Sequence, residues 1–275
     1  MTDHQYALPA GGVPDQHRLI SDRAIFTEAY AVIPGTVLRD IVTSRLPHWR
    51  ETRAWILARP LSGFAETFFQ AILELQPGGG SDQPEPDPDG EGAFFVVSGE
   101  LAIDLPHGTE RLRPGGFVWI APGERYRISN PGSIPAVCHW IRKAYESVEG
   151  IAVPESFALD AEALTPATME NAGGRWLTTR LIDPVDMGHD MHINIVSFEP
   201  GTVIPFAETH VMEHGLYVLE GKAVYRLNDD WVEVEAGDFM WLRAFCPQAC
   251  YAGGPGRFRY LLYKDVNRHP GLRLP

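Results

Sequence analysis

The chain has 275 residues, enough for one large domain or two of ordinary size, and its 27 glycines and 23 prolines are more than long helices tolerate. Its formal net charge of -13, with scattered lysines and arginines, offers nucleic acid no basic surface and attracts anionic membranes little, so we expect a small-molecule partner. The N-terminus has no basic patch followed by an apolar run, and no segment has the ~18 apolar residues of a membrane span. Because Cys138, Cys246 and Cys250 are too few for a disulfide framework, we expect a cytoplasmic protein.

Short β-branched or aromatic runs that end in Gly, Pro or Asn-Asp turns dominate the chain and predict an all-β protein. In chain order, the predicted strands cover residues 71–75, 94–105, 193–198, 216–227 and 260–263. Only residues 36–45 and a piece near 158–170 could be helical. The tract 76–92 is rich in Pro, Gly and acidic residues, which predicts an exposed loop at the mouth of the first half.

The two halves of the chain repeat the same order of motifs. Residues 71–79 match 194–202, and residues 94–105 match 216–227. The residues that then coincide are Gly115 with Gly237, Trp119 with Trp241 and Tyr126 with Gln248, while Lys143 falls close to Lys264. Each half has short antiparallel strands and Gly-rich turns, the pattern of a jelly roll. A duplication explains this order better than two unrelated antiparallel domains would.

The segment ETHVMEHG at residues 208–215 carries the clearest chemistry in the sequence. Alternate side chains of a strand share a face, so Glu208, His210 and His214 can point into one barrel interior. Two imidazoles and a carboxylate are a common ligand set for divalent manganese, iron or zinc. Met212 has the same parity, so either it lines the site or the chain bends close to it.

Other interpretations of these residues stay open. The histidines could be ordinary polar residues at a strand end. His210 to His214 also spells H-x-x-E-H, the pattern of one zinc peptidase group, but that pattern requires a helix, and Gly215 with its β-rich flank favours a strand. Cys246 and Cys250 could form a soft metal site, although small packing residues are the simpler interpretation.

The spacing follows the two sequence motifs of cupin barrels, G-x5-H-x-H-x3/4-E-x6-G and G-x5-P-x-G-x2-H-x3-N. Counting back from Gly221 and forward from Gly237 gives four ligand positions, Glu208, His210, His214 and Gln248, with the places of His and Glu exchanged. Such a set of two nitrogens and two oxygens suits manganese better than a metal that seeks thiolates. In the first half, the same positions hold Pro86, Pro88, Gly92 and Tyr126. We therefore expect one ion per chain, in the second barrel.

The sequence ETHVMEHGLYVLEGKAVY, together with Gln248 and YLLYKDVNR at 260–268, closely resembles the (S)-ureidoglycine aminohydrolases. These are bicupins of purine (allantoin) catabolism, once described in bacteria as glyoxylate-induced proteins, and the resemblance extends from about Arg23 to Arg268. It implies that manganese in the second barrel assists the conversion of (S)-ureidoglycine and water to (S)-ureidoglycolate and ammonia.

The resemblance also implies residue roles. Glu208, His210, His214 and Gln248 would bind the metal, and Glu208 would also face the substrate's amine. Tyr225 and Tyr260 would hold the polar ends of the substrate, and Lys264 would be the acid/base residue. A lysine near a divalent cation and away from bulk water has a lowered pKa, which supports that last role.

The expected architecture is an all-β bicupin, two jelly-roll barrels in tandem. We predict an N-terminal extension packing on the barrels (1–50), a metal-free first barrel (51–145), a linker (146–175) and a metal-binding second barrel (176–275). The alternatives are another metal-dependent cupin enzyme, a dioxygenase or an isomerase, and a non-catalytic bicupin that binds a small acid. We also expect a homo-oligomer, with no nucleic-acid or membrane partner.

Overall fold

The structure of this chain is a computed structural model. It describes residues 6–7, 24–38, 43–60, 65–169, 173–265 and 267–268, with the backbone alone at 6–7. Strands dominate this part of the chain, and the all-β expectation is confirmed. Helical structure within these residues is limited to α1 (Gly35–Leu38) and a 3-10 turn at Ala161–Ala163. None of the described helices is long and apolar enough to cross a membrane.

Twenty-two strands are described, and many of them begin or end at the Gly-containing turns noted in the sequence. In chain order they are β1 (Tyr6–Ala7), β2 (Ile25–Phe26), β3 (Tyr30–Ile33), β4 (Thr43–Ser44), β5 (Trp49–Ala58), β6 (Phe69–Ser81), β7 (Gly90–Ser98), β8 (Leu101–Leu105), β9 (Gly108–Leu112), β10 (Gly116–Ile120), β11 (Arg127–Ser129), β12 (Ala136–Ala144), β13 (Phe157–Asp160), β14 (Ala167–Thr168), β15 (Trp176–Arg180), β16 (His192–Phe198), β17 (His214–Glu220), β18 (Lys222–Leu227), β19 (Asp230–Glu235), β20 (Phe239–Leu242), β21 (Gln248–Tyr251) and β22 (Phe258–Lys264).

The strands form two similar antiparallel barrels. The first barrel is an 11-stranded sheet with the main order β1-β4-β5-β6-β12-β7-β10-β13, to which β11, β8 and β9 are joined through β6. The second barrel has an 8-stranded sheet with the order β14-β15-β16-β22-β17-β20-β3-β2 and a 3-stranded sheet with the order β19-β18-β21. The path β6-β12-β7-β10 of the first barrel therefore corresponds to β16-β22-β17-β20 of the second.

Each barrel is extended by a strand from outside the segment predicted for it. Strand β3, which precedes the first barrel in sequence, pairs with β20 of the second barrel over four residue pairs, Tyr30↔Leu242 to Ile33↔Phe239. Strand β13, in the segment predicted as a linker, pairs with β10 of the first barrel from Gly116↔Asp160 to Trp119↔Phe157. Residues 30–33 thus belong to the sheet of the second barrel, and they connect the N-terminal region to it.

The two barrels share one buried core. Large members of this core are Phe117 and Trp119 from the first barrel and Phe239, Trp241 and Tyr263 from the second. The same tryptophan–carboxylate hydrogen bond occurs on both sides: Trp119 Nε1 donates to Glu91 Oε2 at 2.9 Å, and Trp241 Nε1 donates to Glu213 Oε1 at 2.6 Å. Because buried indole and carboxyl groups need partners, these repeated contacts hold equivalent strands in equivalent positions.

Two glycines form the equivalent turns that join β7 to β8 and β17 to β18. Gly99 has φ 76° and Gly221 has φ 80°, a conformation that side chains with a Cβ rarely adopt. A Cβ at Gly99 would lie 2.7 Å from the Pro135 carbonyl oxygen, and one at Gly221 would lie 2.2 Å from that of Arg257. The same steric requirement at matching positions supports the duplication.

The strand register corrects one detail of the sequence overlay. Lys264 lies opposite His214, and the residue opposite Gly92, the counterpart of His214, is Arg142 rather than Lys143. Since neighbouring residues of a strand point to opposite faces, the difference of one position matters. The counterpart of Lys264 in the first barrel is therefore Arg142.

The helices expected from the sequence are mostly absent from the described residues. Within 36–45, the helix stops at Leu38, Thr43–Ser44 is strand β4, and residues 39–42 lie outside the described part. The helix expected near 158–170 is wrong, because this segment contains β13, the 3-10 turn and β14. Neither segment has a sustained apolar period of 3.6 residues, so neither could bury a helical face. Of the tract 76–92, only residues 82–89 form a loop, since β6 ends at Ser81 and β7 begins at Gly90.

Candidate active site

A cavity of about 240 Å³ opens into the second barrel. Six of the seven residues singled out from the sequence line it: Glu208, His210, His214, Gln248, Tyr260 and Lys264. The structure therefore brings together side chains that are up to 56 positions apart in the chain.

Cross-strand pairing places one wall of this cavity. Across β16, β22 and β17, Lys264 lies between His192 and His214 in one row. In the adjacent row, Asn194 of β16 lies opposite Arg180 of β15. Directly opposite residues of antiparallel strands have Cβ atoms about 4.5–5.5 Å apart. Residues of the same row are therefore neighbours on the inner face of the barrel.

The segment before β17 is neither a continuous strand nor a helix. Glu208 and Gln248 form an isolated antiparallel bridge, with both N–O distances 2.9 Å. The chain then bends at 211–212, and β17 starts only at His214. A bend, and not uniform strand parity, thus brings Glu208 and His210 to the same cavity as His214. The H-x-x-E-H pattern lacks the helix that a zinc peptidase of that group requires.

His214 is the most buried of the proposed ligands. Its Nδ1 lies 2.9 Å from the carbonyl oxygen of Met212, and its Nε2 is buried with no hydrogen-bond partner in the described part of the chain. A carbonyl oxygen only accepts, so Nδ1 carries the proton and Nε2 keeps a free lone pair, as in histidines that bind metals. His210 Nε2 lies 3.5 Å from Glu208 Oε2, and the two imidazole centroids are 5.1 Å apart. These donors fit a divalent cation.

The four proposed donors are spread along the cavity wall and do not converge on a single point. In the described residues, no three His, Cys, Asp or Glu side chains converge closely enough to enclose an ion by themselves. The case for a metal therefore depends on the chemistry of the donors, on the free Nε2 of His214 and on the cavity that all four share. Gln248, which is buried, would supply the fourth donor as a neutral amide oxygen.

Lys264 lies at the same wall, in an environment that lowers its pKa. Burial lowers its pKa, the negative charge of Glu208 opposes this effect, and the positive charge of Arg180 adds to it, so the net pKa lies below the ordinary value. Burial, Lys264 and Arg180 also lower the pKa of His192 to about 4, so this imidazole is neutral. Lys264 can therefore exchange a proton more readily than a solvated lysine can.

Comparison with known proteins identifies the family. Residues 71–142 and 194–263 each match the cupin domain. An (S)-ureidoglycine aminohydrolase of Escherichia coli is 31% identical over 253 residues, which cover 91% of this chain and 94% of that protein. One of Arabidopsis thaliana is 30% identical over 249 residues, which cover 90% of this chain and 79% of that protein. This chain belongs to the (S)-ureidoglycine aminohydrolase family of cupins.

A solved structure supports the same assignment. The crystal structure of a glyoxylate-induced protein from Pseudomonas aeruginosa has 62% sequence identity and a TM-score of 0.89, covering 99% of this chain and 100% of that one. The bicupin fold and the hydrolase family predicted from the ETHVMEHG segment are thus confirmed. The roles of individual residues stay predictions.

Tyr225 and the cysteines lie away from the cavity wall. Tyr225 is fully buried in the core of the second barrel, with its ring centroid 6.2 Å from that of Tyr260, and it is not among the lining residues. It can support Tyr260 but does not reach the cavity. Cys246 and Cys250 are buried in the same core, and burial raises the pKa of both thiols. Their place in this core, outside the cavity lining, agrees with packing residues.

The first barrel has different chemistry at the equivalent positions. Arg142 forms a bidentate ion pair with Glu85, and its Nε donates to Glu85 Oε2 at 2.6 Å. Its guanidinium carbon lies 4.8 Å from the centroid of the Trp140 ring, which stacks on Phe94 at 5.7 Å. Tyr126 packs edge-on against the same Phe94. Aromatic rings and a paired cation thus surround the first-barrel counterpart of Lys264, while a cavity of about 810 Å³ lined by Glu85, Pro86, Pro88 and Tyr126 opens beside them.

Four polar residues of the cavity were missed by the sequence reasoning: Thr178, Arg180, His192 and Asn194. A signal existed for one of them, because Asn194 is a polar residue inside the apolar run of β16. The other three had none, since only the pairing of β15, β16 and β22 brings them to the site.

Proposed function

We propose that this chain hydrolyses (S)-ureidoglycine to (S)-ureidoglycolate and ammonia, with one divalent manganese ion in the second barrel. The observation that carries the proposal is the shared cavity, in which four hard or borderline donors stand beside a half-buried lysine of lowered pKa. The family relationship supports the substrate, because both relatives described above are (S)-ureidoglycine aminohydrolases. The residues at the equivalent positions of the first barrel, Pro86, Pro88, Gly92 and Tyr126, support a single ion per chain because they offer no His, Asp or Glu ligand.

The reaction replaces an amine by a hydroxyl at one carbon, so it needs one proton removed from water and one given to the leaving nitrogen. Glu208, whose carboxylate lines the cavity, takes the proton from water in this scheme. Lys264, close enough to sense the charge of Glu208, gives a proton to the amine, which leaves as ammonia. When bound, manganese would hold an oxygen of the substrate and neutralise its charge. Tyr260 limits the free space beside these groups.

The setting of the reaction is also a proposal. We place the activity in purine (allantoin) catabolism, in the cytoplasm and in a homo-oligomer, because the family resemblance implies this pathway and bicupins commonly assemble. Substitutions of Glu208 or Lys264 should change the activity without changing the oligomeric state, since both residues line the cavity inside a barrel.

The decisive experiment is ammonia release from freshly generated (S)-ureidoglycine by manganese-loaded protein. We expect release well above the spontaneous rate, (S)-ureidoglycolate as product, and little or no release from allantoate, whose second ureido group should crowd a cavity of about 240 Å³. Metal analysis of the same preparation should give one ion per chain. Release no faster than the background, with turnover of allantoate or oxygen consumption with another acid, would place the chain in a different branch of cupins.

A further inference from the structure

Asn194 is a buried polar residue whose oxygen has no partner. Its side chain lines the cavity and is 6% exposed, and Oδ1 makes no hydrogen bond within the described residues. Burying a carbonyl oxygen without a donor costs free energy, so such an atom at a cavity wall indicates a ligand that supplies the donor.

The fold itself does not require an amide at this position. The equivalent residue of the first barrel is Ala71, which lies opposite Trp140 just as Asn194 lies opposite Leu262. Ala71 is fully buried in an apolar core. The second barrel therefore has an amide where the same strand of the first barrel has a methyl group.

The charges around Asn194 restrict which donor can bind. Arg180 lies opposite it in the strand register, and Lys264 occupies the adjacent row. An ammonium group placed here would meet two positive charges, whereas the neutral N–H groups of a carbamoyl would not. The same positive charges favour a carboxylate elsewhere on the ligand.

We propose that Asn194 recognises the terminal carbamoyl group of the ligand, with Oδ1 accepting one of its N–H groups, and so selects ureido acids over acyl analogues of the same shape. This inference rests on the proposed function, since it names the residue that binds the ureido end of the proposed substrate. The metal donors and Lys264 then act on the opposite, reacting end.

The test compares two ligands on manganese-loaded protein by calorimetry: (S)-ureidoglycolate and its N-acetyl analogue, in which a methyl group replaces the terminal amino group. The wild type should bind the ureido acid about tenfold or more tightly, as expected for a hydrogen bond to a buried acceptor. Asn194→Leu should reduce this preference to about threefold or less, because it removes the acceptor. Asn194→Asp keeps an acceptor oxygen and should keep the preference.

Arg180→Gln is the matched control within the cavity. This substitution removes a positive charge that attracts the carboxylate common to both ligands. It should therefore weaken the binding of both ligands alike and leave the preference for the ureido acid unchanged. Metal content and the urea midpoint of each variant report its folding, and Asn194→Ala, which copies Ala71, replaces the leucine variant if that does not fold. An undiminished preference in Asn194→Leu or Asn194→Ala overturns the inference alone. If the wild type shows no preference but still releases ammonia, the inference about Asn194 is also overturned alone. If the wild type neither binds the ureido acid nor releases ammonia, the proposed function is overturned as well.

Discussion

His139 provides a test of how the shared core responds to acid. The imidazole is fully buried, 3.3 Å from Gln70 Nε2, with its ring centroid 4.1 Å from that of Tyr217 of the second barrel. Burial lowers its pKa from 6.5 to about 3. The folded protein therefore keeps His139 neutral at pH values where an unfolded chain takes up a proton.

The sign and size of the effect follow from this difference. A histidine with a depressed folded pKa contributes stability that is present above about pH 6.5 and is lost as the pH falls towards about 3. Between about pH 7 and pH 5, the unfolded chain gains about 0.7 of a proton at this residue and the folded protein gains almost none. The free energy of unfolding should therefore fall by up to about 2 kcal/mol through His139 alone.

The variant to compare is His139→Leu with Gln70→Met. Leucine is the natural residue at the equivalent position of the second barrel, Leu261, and the second substitution avoids leaving the Gln70 amide without its partner. Urea unfolding followed by tryptophan fluorescence, at equal manganese concentration, should show a shallower loss of stability towards acid in the variant. A control at the surface, His107→Asn, should follow the wild type. Parallel curves for the double variant and the wild type would refute the reasoning.

Three further predictions concern the candidate site and the turn at Gly221. Lys264→Met should lower kcat by roughly 10²- to 10⁴-fold with nearly normal metal content, because the proposed role of the lysine is to transfer protons and not to bind the ion; a variant with half the wild-type kcat would disprove this role. His214→Ala should lose most of the manganese in elemental analysis, whereas Tyr126→Phe in the first barrel should keep it; equal metal contents would contradict the ligand set. Gly221→Ala should lower the free energy of unfolding by about 2 kcal/mol or more, because a Cβ at φ 80° would meet a carbonyl oxygen at 2.2 Å, while Gly256→Ala, with open space around it, should change it by less than about 0.5 kcal/mol. Equal effects of the two glycine substitutions would contradict the steric argument.

Local sequence patterns predicted much of the second barrel. The run at 193–198 became β16, and 216–227 became β17 and β18 with Gly221 between them, because apolar alternation and a glycine turn define two consecutive strands without help from distant residues. The candidate ligands were found for the same reason, since three of the four lie within seven residues of each other.

Other features could not be read from local patterns. The strand at 30–33 is short and apolar, and nothing in it specifies that it joins β20 of the second barrel rather than a sheet of the first. The sequence allows either a bend at 211–212 or a strand in which Met212 lines the site, because parity alone does not distinguish a bent loop from a strand. Arg180 and Asn194 come together only through the pairing of β15 with β16, which depends on contacts across the whole barrel.

The difference between the two barrels is larger than the four ligand positions suggest. In the first barrel the cation at the inner wall, Arg142, is neutralised by the bidentate contact with Glu85, and Trp140 and Phe94 fill the space beside it. In the second barrel the corresponding cation, Lys264, keeps a lowered pKa beside an open cavity. Placing metal ligands at the equivalent positions of the first barrel would therefore not supply a counterpart of Lys264, because Arg142 is held in its ion pair with Glu85. In the proposed reaction, the cavity and Lys264 are therefore needed as much as the donors.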